Sequence, residues 1–332
     1  MRTAARTSTS KTPKMFDATV RGKKAWTRDS IQKSDYLIPI PETCQMELKQ
    51  FAATLRDNPL QIEMILPNDY ALHKTKAFMA CVRKRLETGV GFAILDRLSV
   101  KTFNKDDLKA IYWILSSLIA RPVAQSFSGT LMYDVIDTGK IKSPKVRADV
   151  TSAELDFHTD YSYNYPPRYF GLQALRTAKK GGRSGAVSLM TAHNEMRQRY
   201  PLLLKRLYRP FWLNRYGEHA PDLPKTSFHP VYTYDNSELW ARFNPRNIYA
   251  GYELAQETLD TEAQESIEAL NGILSEPKMH KNFYLAAGQI IYFHNGHCAH
   301  NRTAYEDFDE PDKRRHMIRI FLRDQGARTY NG

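Results

Sequence analysis

The sequence has few cysteines, no secretory signal and no long apolar run. Its three Cys among 332 residues are widely spaced and odd in number. They argue against a disulfide framework and favour a reducing, cytoplasmic location. No apolar stretch approaches the roughly 20 residues that cross a bilayer, so we expect a soluble protein with no membrane partner. The first 14 residues contain no apolar block, which argues against a secretory signal.

Acidic residues are scarce near the N-terminus. Residues 1–35 contain nine Lys or Arg against three Asp, a balance of +6 out of +12 for the whole chain. The opening MRTAARTSTSKTPK is rich in Ser and Thr and has no acid, so we predict a disordered basic arm over residues 1–35. A solvated terminus is the favoured interpretation, and a transit peptide or a polyanion-binding tail is the alternative. Residues 36–332 are predicted to form the ordered domain.

Helical patterns precede strand patterns along the chain. ETCQMELKQFAATL, DYALHKTKAFMACVRKRLETG and NKDDLKAIYWILSSLIARP are predicted to be helices. Later segments are typical of strands between turns, among them YFGLQALRTA, GAVSLMT, NFYLAAGQIIYFHN and RHMIRIFLRD. This order predicts an α+β fold in which helices support a β-sandwich or jelly roll. The polar segment 137–154 is long enough to be a functional lid.

Two histidines stand two residues before a carboxylate, and only one of these pairs suits a metal ion. Residues i and i+2 point to the same side of an extended chain but to nearly opposite sides of a helix. His193 lies at a predicted helix start, so it cannot easily chelate together with Glu195. LDFHTDYSY is predicted to be extended, so His158 and Asp160 can offer an imidazole and a carboxylate to one ion.

A third ligand is available in FHNGHCAHNRTAYED, residues 293–307. Here the apolar strand GQIIYF is followed by three histidines, His294, His297 and His300. One of them, with His158 and Asp160, would complete a 2-His-1-carboxylate triad, which leaves three positions of an iron ion open. A zinc site built from the local histidines, or surface histidines without a ligand, are the alternatives.

One positive charge is predicted in the middle of a core strand. RHMIRIFLRD, residues 315–324, is apolar on both alternating faces, which is typical of a buried strand. Met317, Arg319 and Phe321 would share one face. A buried guanidinium needs an anion, and its planar fork suits a carboxylate. That anion is either a protein Asp or Glu, or a dicarboxylate cosubstrate that reaches from the iron.

Taken together, the motifs resemble the clavaminate synthase-like and taurine dioxygenase-like branch of the Fe(II)/2-oxoglutarate oxygenases. The resemblance covers roughly residues 85–325 through GVGFAILDRL, AELDFHTD, GLQALRTAKKGGRSGAVS, ARFNPRNIYAGYE, AAGQIIYFHNGHCAHNRTAYED and RRHMIRIFLRD, in that order. It implies a double-stranded β-helix (jelly-roll) core with flanking helices and lid insertions within residues 36–332. It also implies an oxygenase that uses Fe(II), with 2-oxoglutarate and O₂ as cosubstrates.

The resemblance implies roles for individual residues. HNRTAY selects His300 as the distal iron ligand. Ser184, after the Gly-Gly turn, would contact 2-oxoglutarate. Arg319, four residues beyond the RR pair, would bind the far carboxylate of 2-oxoglutarate, with Arg315 or Arg302 as the next candidates. The chain departs from the common pattern in two places, because Ser184 stands where Thr is frequent and EDFDEPDK lengthens the approach to the arginine strand.

The substrate is less constrained by the sequence. Family halogenases lack the carboxylate ligand, so Asp160 favours hydroxylation, desaturation or ring formation. We expect a small, carboxylate-bearing metabolite such as an amino acid or a biosynthetic intermediate. The residues expected near it are Tyr161, Tyr163, Arg242, Asn244 and Arg302, although the tyrosines would equally suit packing on the barrel.

Two other function classes are considered. A macromolecular oxygenase or demethylase fits the basic arm and the pI near 9.4. The absence of a basic and aromatic stripe in the core sequence argues against nucleic acid as a partner. A catalytically inactive binding protein is opposed by the intact triad. The sequence does not specify the oligomeric state.

Overall fold

The computed structural model describes residues 14–139, 150–235 and 237–325. Its helices are α1 (Lys33–Tyr36), α2 (Glu42–Asp57), α3 (His73–Thr88), α4 (Lys105–Ile119), α5 (Leu189–Arg199), α6 (Pro201–Leu207), α7 (Pro245–Ala255) and α8 (Thr261–Ser275), with 3₁₀ turns at Ile62–Met64 and Pro67–Asp69. Its strands are β1 (Leu37–Pro39), β2 (Phe92–Asp96), β3 (Arg121–Val123), β4 (Met132–Val135), β5 (Leu155–His158), β6 (Tyr169–Arg176), β7 (Lys180–Gly181), β8 (Ser184–Ser188), β9 (Phe211–Asn214), β10 (Thr226–His229), β11 (Tyr232–Asp235), β12 (Glu238–Ala241), β13 (His280–Phe283), β14 (Ile290–His294), β15 (Cys298–Arg302), β16 (Tyr305–Glu306) and β17 (His316–Arg323).

Two sheets form the core. The larger has the order β1-β2-β14-β6-β17-β3, with β4 also paired to β17, and its pairings are antiparallel except for β1 with β2. The smaller has the order β13-β8-β15-β5 and is antiparallel throughout. Apolar side chains of both sheets belong to one buried cluster, including Phe293 of β14 and Val187 of β8. This arrangement confirms the predicted α+β jelly-roll class.

The larger sheet buries its two faces against different partners. On β17, Met317 and Phe321 belong to the cluster between the sheets, whereas Ile318 and Ile320 belong to a second cluster shared with helices α2, α3 and α4. Successive strand residues point to opposite faces, so an apolar residue at nearly every position fits a sheet that is covered on both sides. Arg319, in the middle of the strand, shares the face of Met317 and Phe321 and lies beside the cavities between the sheets.

Part of the predicted disordered arm is ordered. Trp26 is 2% exposed, and its Nε1 donates to the carbonyl oxygen of Val90 over 2.7 Å. The amide of Val20 donates to Asn194 Oδ1, and Ile31 is buried. The prediction of disorder is therefore wrong for residues 14–35, because apolar anchors stand between the charges. Residues 1–13 of the arm, and 140–149 of the predicted lid, lie outside the described residues.

Within the described ranges, no helix has both the length and the apolar character that crossing a membrane requires.

Candidate active site

The predicted metal ligands lie together between the two sheets. His158, the last residue of β5, pairs with His300 of β15 across the smaller sheet, and their ring centroids are 4.3 Å apart. Asp160 Oδ1 lies 3.8 Å from His158 Nε2. One potential ligand atom from each of the three residues lies within 4.8 Å of the others. The spacing suits binding of a single ion.

The local backbone explains how Asp160 comes to face the histidines. The strand ends at His158, so Asp160 lies in the following turn rather than on the strand as expected. Thr159 keeps the chain extended between them, because its amide donates to the carbonyl oxygen of Phe243 over 2.7 Å. Asn295 then holds the backbone of Asp160 from both sides, accepting from its amide and donating to its carbonyl oxygen at 2.9 Å each.

Asn295 was missed by the sequence analysis. It follows β14 in the turn FHNGHC and is buried. In the sequence, the only signal for a positioning role is an asparagine at a strand end between histidines. Its side chain also donates to the carbonyl oxygen of Pro167 over 3.2 Å. It therefore links the turn after β5 to the turn after β14, which are the two segments that converge on the candidate metal position.

The electrostatics of the three side chains fit a metal ion. His158 Nδ1 donates to the carbonyl oxygen of Asp156 over 2.7 Å, which leaves Nε2 to face Asp160. Burial lowers the pKa of His300 well below its ordinary value, with further lowering from His158 and Arg319, so its ring is neutral as a ligand must be. Asp160 Oδ2 is buried without a hydrogen-bond partner among the described residues. A cation would satisfy this oxygen.

Two cavities meet at this cluster. One is lined by Ser184, Arg302 and Arg315 together with apolar side chains of the larger sheet. The other opens beside α7, and its walls include Tyr161, Tyr163, Asn244, Arg246 and Asn247. His158, Asp160 and Arg319 line both cavities. The site can therefore hold one small molecule on each side of the candidate metal position.

Arg315, just before β17, and Arg319, within β17, have different partners. Arg319 Nε donates to Gln125 Oε1 over 2.9 Å, and its Nη1 lies 3.6 Å from Asp160 Oδ1. Arg315 is also buried, and its Nη1 has no hydrogen-bond partner among the described residues. Burial lowers the pKa of the Arg315 guanidinium, and its carbon lies 5.1 Å from the centre of the Tyr305 ring. Of the two, Arg315 has the greater need of an external anion.

Arg242 and Arg302, both expected near the substrate, make contacts with backbone carbonyls. Arg242 Nη1 donates to the carbonyl oxygens of Ser162 and Asn164 at 3.1 Å each, and burial lowers the pKa of Arg242 to about 10. Arg302 Nη2 donates to the carbonyl oxygen of Thr151 over 2.7 Å and also to that of Ala153. Arg242 therefore braces the turn after β5, and Arg302 braces the segment before it.

The remaining histidines of the two motifs lie apart from the triad. His193 is buried in α5, where its Nε2 lies 2.8 Å from the hydroxyl of Tyr208. His294 and His297 form a second group with the carboxylate of Glu238. Of the three histidines that follow GQIIYF, His300 is therefore the one that meets His158 and Asp160.

A jelly roll that holds two histidines and one carboxylate beside open cavities defines the class of mononuclear non-haem iron enzymes. Residues 66–321 match the family model described as taurine catabolism dioxygenase TauD, TfdA family. The chain belongs to this family, and it is an Fe(II)- and 2-oxoglutarate-dependent oxygenase. This confirms the predicted family, enzyme class and cosubstrates.

Individual relatives are distant in sequence. FR-33289 synthase from Streptomyces rubellomurinus is 23% identical over 318 residues, which cover 94% of this chain and 92% of that protein. An asparagine oxygenase in complex with Fe(II), 2S,3S-3-hydroxyasparagine and succinate has a TM-score of 0.68 at 16% identity, covering 89% of this chain and 98% of that chain. The non-haem iron oxygenase OrfP, in complex with Fe, succinate and (3S)-hydroxy-L-Arg, has a TM-score of 0.66 at 13% identity, with coverage of 89% and 99%. These structures support the fold.

Proposed function

We propose that this enzyme oxidises a C–H bond of a small metabolite that carries a carboxylate, such as an amino acid or a biosynthetic intermediate. The observation that carries the proposal is Arg319, a buried guanidinium that faces the substrate-sized cavity directly beside the metal triad. The compounds bound in the related structures, 2S,3S-3-hydroxyasparagine and (3S)-hydroxy-L-Arg, are amino acids and agree with this class. Hydroxylation, desaturation and ring formation are all compatible with a triad that includes Asp160.

His158, Asp160 and His300 would hold the Fe(II). When bound, Fe(II) would supply the activation of O₂, which is the oxidant: one oxygen atom ends in succinate as 2-oxoglutarate gives up two electrons and CO₂, and the other ends in the hydroxylated product or in water. The chain contributes the orientation of the ligands. The Asp156 carbonyl fixes which nitrogen of His158 is presented, and Asn295 fixes the backbone of Asp160.

Arg315 and Ser184 would bind the far carboxylate of 2-oxoglutarate. Both line the cavity enclosed by the larger sheet, and Met317 and other apolar side chains complete its walls. A carboxylate there would accept from Arg315 Nη1, which has no hydrogen-bond partner among the described residues although Asp307 and Tyr305 act on the same guanidinium, whereas Arg319 has Asp160 within 3.6 Å. This assignment differs from the prediction that Arg319 is the anchor, because the sequence alone does not reveal the contact of Arg319 with Asp160 or the unpartnered Nη1 of Arg315 beside the cavity with Ser184.

Arg319 would instead orient the substrate in the second cavity. Its guanidinium is held by Gln125 and lies against the ring of Phe321, with the guanidinium carbon 4.8 Å from the ring centre. Tyr161 and Tyr163 form an apolar wall near it, with their ring centroids 5.0 Å apart. A carboxylate at Arg319 would fix the substrate near the triad, while the tyrosines exclude water from the reacting carbon.

The test is a succinate-release screen with Fe(II), 2-oxoglutarate and O₂. Each amino acid or carboxylate in the panel is paired with its carboxamide, which keeps the shape but removes the charge. We expect one carboxylate to stimulate succinate release and to be oxidised, and its carboxamide to be inactive. Product mass distinguishes hydroxylation from desaturation or ring formation. Stimulation by methylated DNA or peptides, with no active small carboxylate, would overturn the proposal.

A further inference from the structure

We infer that this chain has a second metal site, for Zn²⁺, formed by Glu238, His294 and His297 with Glu87 as the fourth ligand. It lies where helix α3, the β11–β12 hairpin and the turn between β14 and β15 meet. Its residues are distinct from those of the triad. The inference therefore does not depend on the proposed substrate.

Three donor pairs are close to the spacing that zinc requires, and one ligand atom each of Glu238, His294 and His297 lies within 4.8 Å of the others. Glu238 Oε1 lies 3.6 Å from His297 Nε2 and 3.8 Å from His294 Nε2. Glu87 Oε2 lies 3.9 Å from His294 Nε2. Two donors about 2.1 Å from a tetrahedral ion are about 3.4 Å apart, so small side-chain movements would complete the coordination.

The two imidazoles are buried in a way that calls for a ligand. His294 is 0% exposed, and its Nε2 has no hydrogen-bond partner among the described residues. The His294 and His297 rings stack with centroids 3.5 Å apart and an angle of 9° between their planes. An unsatisfied buried ring nitrogen is costly, and a metal ion bound to it would remove the cost.

Arg168 holds the two carboxylates beside the histidines. Its guanidinium makes four hydrogen bonds, at 3.0–3.1 Å, to Glu87 and Glu238. The charges around the two histidines are Glu87, Glu238 and Asp324 against Lys24, Arg83 and Arg168, a formal balance of zero. The cation would therefore be attracted by the two carboxylates that face the imidazoles, and each carboxylate oxygen has a second lone pair for the metal while Arg168 keeps the first.

The number of protein donors, rather than their type, points to zinc in a structural role. Two imidazoles and carboxylate oxygens suit Zn²⁺, and four protein ligands leave no position open for a substrate. The two histidines are buried, whereas the side chains of Glu87 and Glu238 are 26% and 35% exposed. The ion would therefore enter from the carboxylate side. Once bound, it would fasten α3 and the hairpin to the turn that leads into His300.

The test measures two metals in one protein. The wild-type chain is equilibrated anaerobically with Fe(II) and Zn²⁺, freed of excess metal, and analysed for both elements. Zinc-edge anomalous scattering from crystals then locates the zinc. We expect zinc at the Glu238 cluster whether the triad holds iron or zinc, since zinc also binds imidazole and carboxylate donors more tightly than Fe(II) does. His294→Asn and Glu238→Gln should each weaken zinc binding by more than about 100-fold, since even partners behind the ligands contribute 10- to 100-fold.

The controls separate the two sites. His300→Ala should lose iron and keep zinc, and His219→Asn, outside both clusters, should keep both metals. Zinc absent from the wild type, or bound only at the triad and lost in His300→Ala, would overturn the inference. So would zinc retained by both cluster variants. If the variants do not fold, the wild-type anomalous map decides alone, because it needs no substitution.

Discussion

The two histidine–carboxylate clusters of this protein contain the same kinds of donor in different surroundings. The triad of His158, Asp160 and His300 lies beside two cavities, and one oxygen of its carboxylate has no hydrogen-bond partner within the described ranges. The cluster of Glu238 and His294 is packed by the Trp240 ring, 5.3 Å from that of His294, and its carboxylate is paired with Arg168.

Because the two clusters share donor types and differ in their surroundings, donor type alone does not distinguish a reactive centre from a structural one. An ion at the triad would have room for further ligands, because cavities reach it from both sides. An ion at the other cluster would be surrounded by protein groups. Both clusters draw on the short segment FHNGHCAH, so neighbouring histidines serve different sites.

The largest effect is expected when one histidine of each cluster is replaced in turn and the iron content is compared. His300→Ala removes a triad ligand, so we expect loss of Fe(II) and of turnover, whereas His294→Ala should leave iron bound. Elemental analysis and the charge-transfer absorption of the anaerobic Fe(II)–2-oxoglutarate complex report both variants. Iron retained in His300→Ala but lost in His294→Ala would show that the distal ligand is misassigned.

The free energy of unfolding should fall at low pH because of His193, a buried histidine that belongs to neither cluster. Burial lowers the pKa of His193 to about 4 from an ordinary value near 6.5. The unfolded chain then binds a proton that the folded chain does not, so stability is complete above about pH 6.5 and falls as the pH drops towards 4. The loss should reach about 3 kcal/mol for this residue.

The measurement is denaturant unfolding in chelator between pH 7.5 and pH 5. His193→Gln should lower the stability at pH 7.5 but flatten the slope with pH. An unchanged slope in His193→Gln would show that other groups carry the acid sensitivity. Added zinc should leave the contribution of His193 to the pH dependence of the unfolding free energy unchanged, because His193 belongs to neither cluster.

Replacing the two strand arginines tests which cavity each one serves. Arg315→Lys keeps the charge but loses the planar fork, so 2-oxoglutarate should bind about 10- to 150-fold more weakly, the equivalent of about 1.5–3 kcal/mol. Arg319→Lys should mainly raise the KM of the primary substrate. Anaerobic titration of the charge-transfer band gives the 2-oxoglutarate affinity, and iron should remain bound in both variants. The reverse result would restore Arg319 as the anchor.

The smallest effect is expected from the N-terminus. Deleting residues 1–13, which precede every landmark of either cluster, should leave metal content unchanged and turnover within a few-fold. Extending the deletion to residue 30 removes the buried Trp26, and loss of a buried aromatic costs about 3–5 kcal/mol. Thermal unfolding of both truncations provides the check. Lost activity in a folded chain that lacks only residues 1–13 would indicate a macromolecular substrate or a lid.

Much of the fold and the triad followed from local sequence. The strand alternation of HMIRIFLR placed Met317 and Phe321 on one face, as found. The segments assigned to α2, α3 and α4 are helices. His158 and Asp160 are two residues apart, so a nearly extended backbone suffices to bring them to one ion. Such features depend on interactions a few residues long, which the order of residue types determines directly.

Other features depended on the tertiary structure. Glu238 and Glu87 reach His294 from a distant hairpin and a distant helix, so no spacing in the sequence reveals that cluster. Arg315 directly precedes β17 and Arg319 lies within it, and the partners of Arg319, Gln125 and Asp160, come from segments far away in the sequence. Segments far apart in the chain bring these charges together, and local propensity carries no information about a partner that only packing supplies.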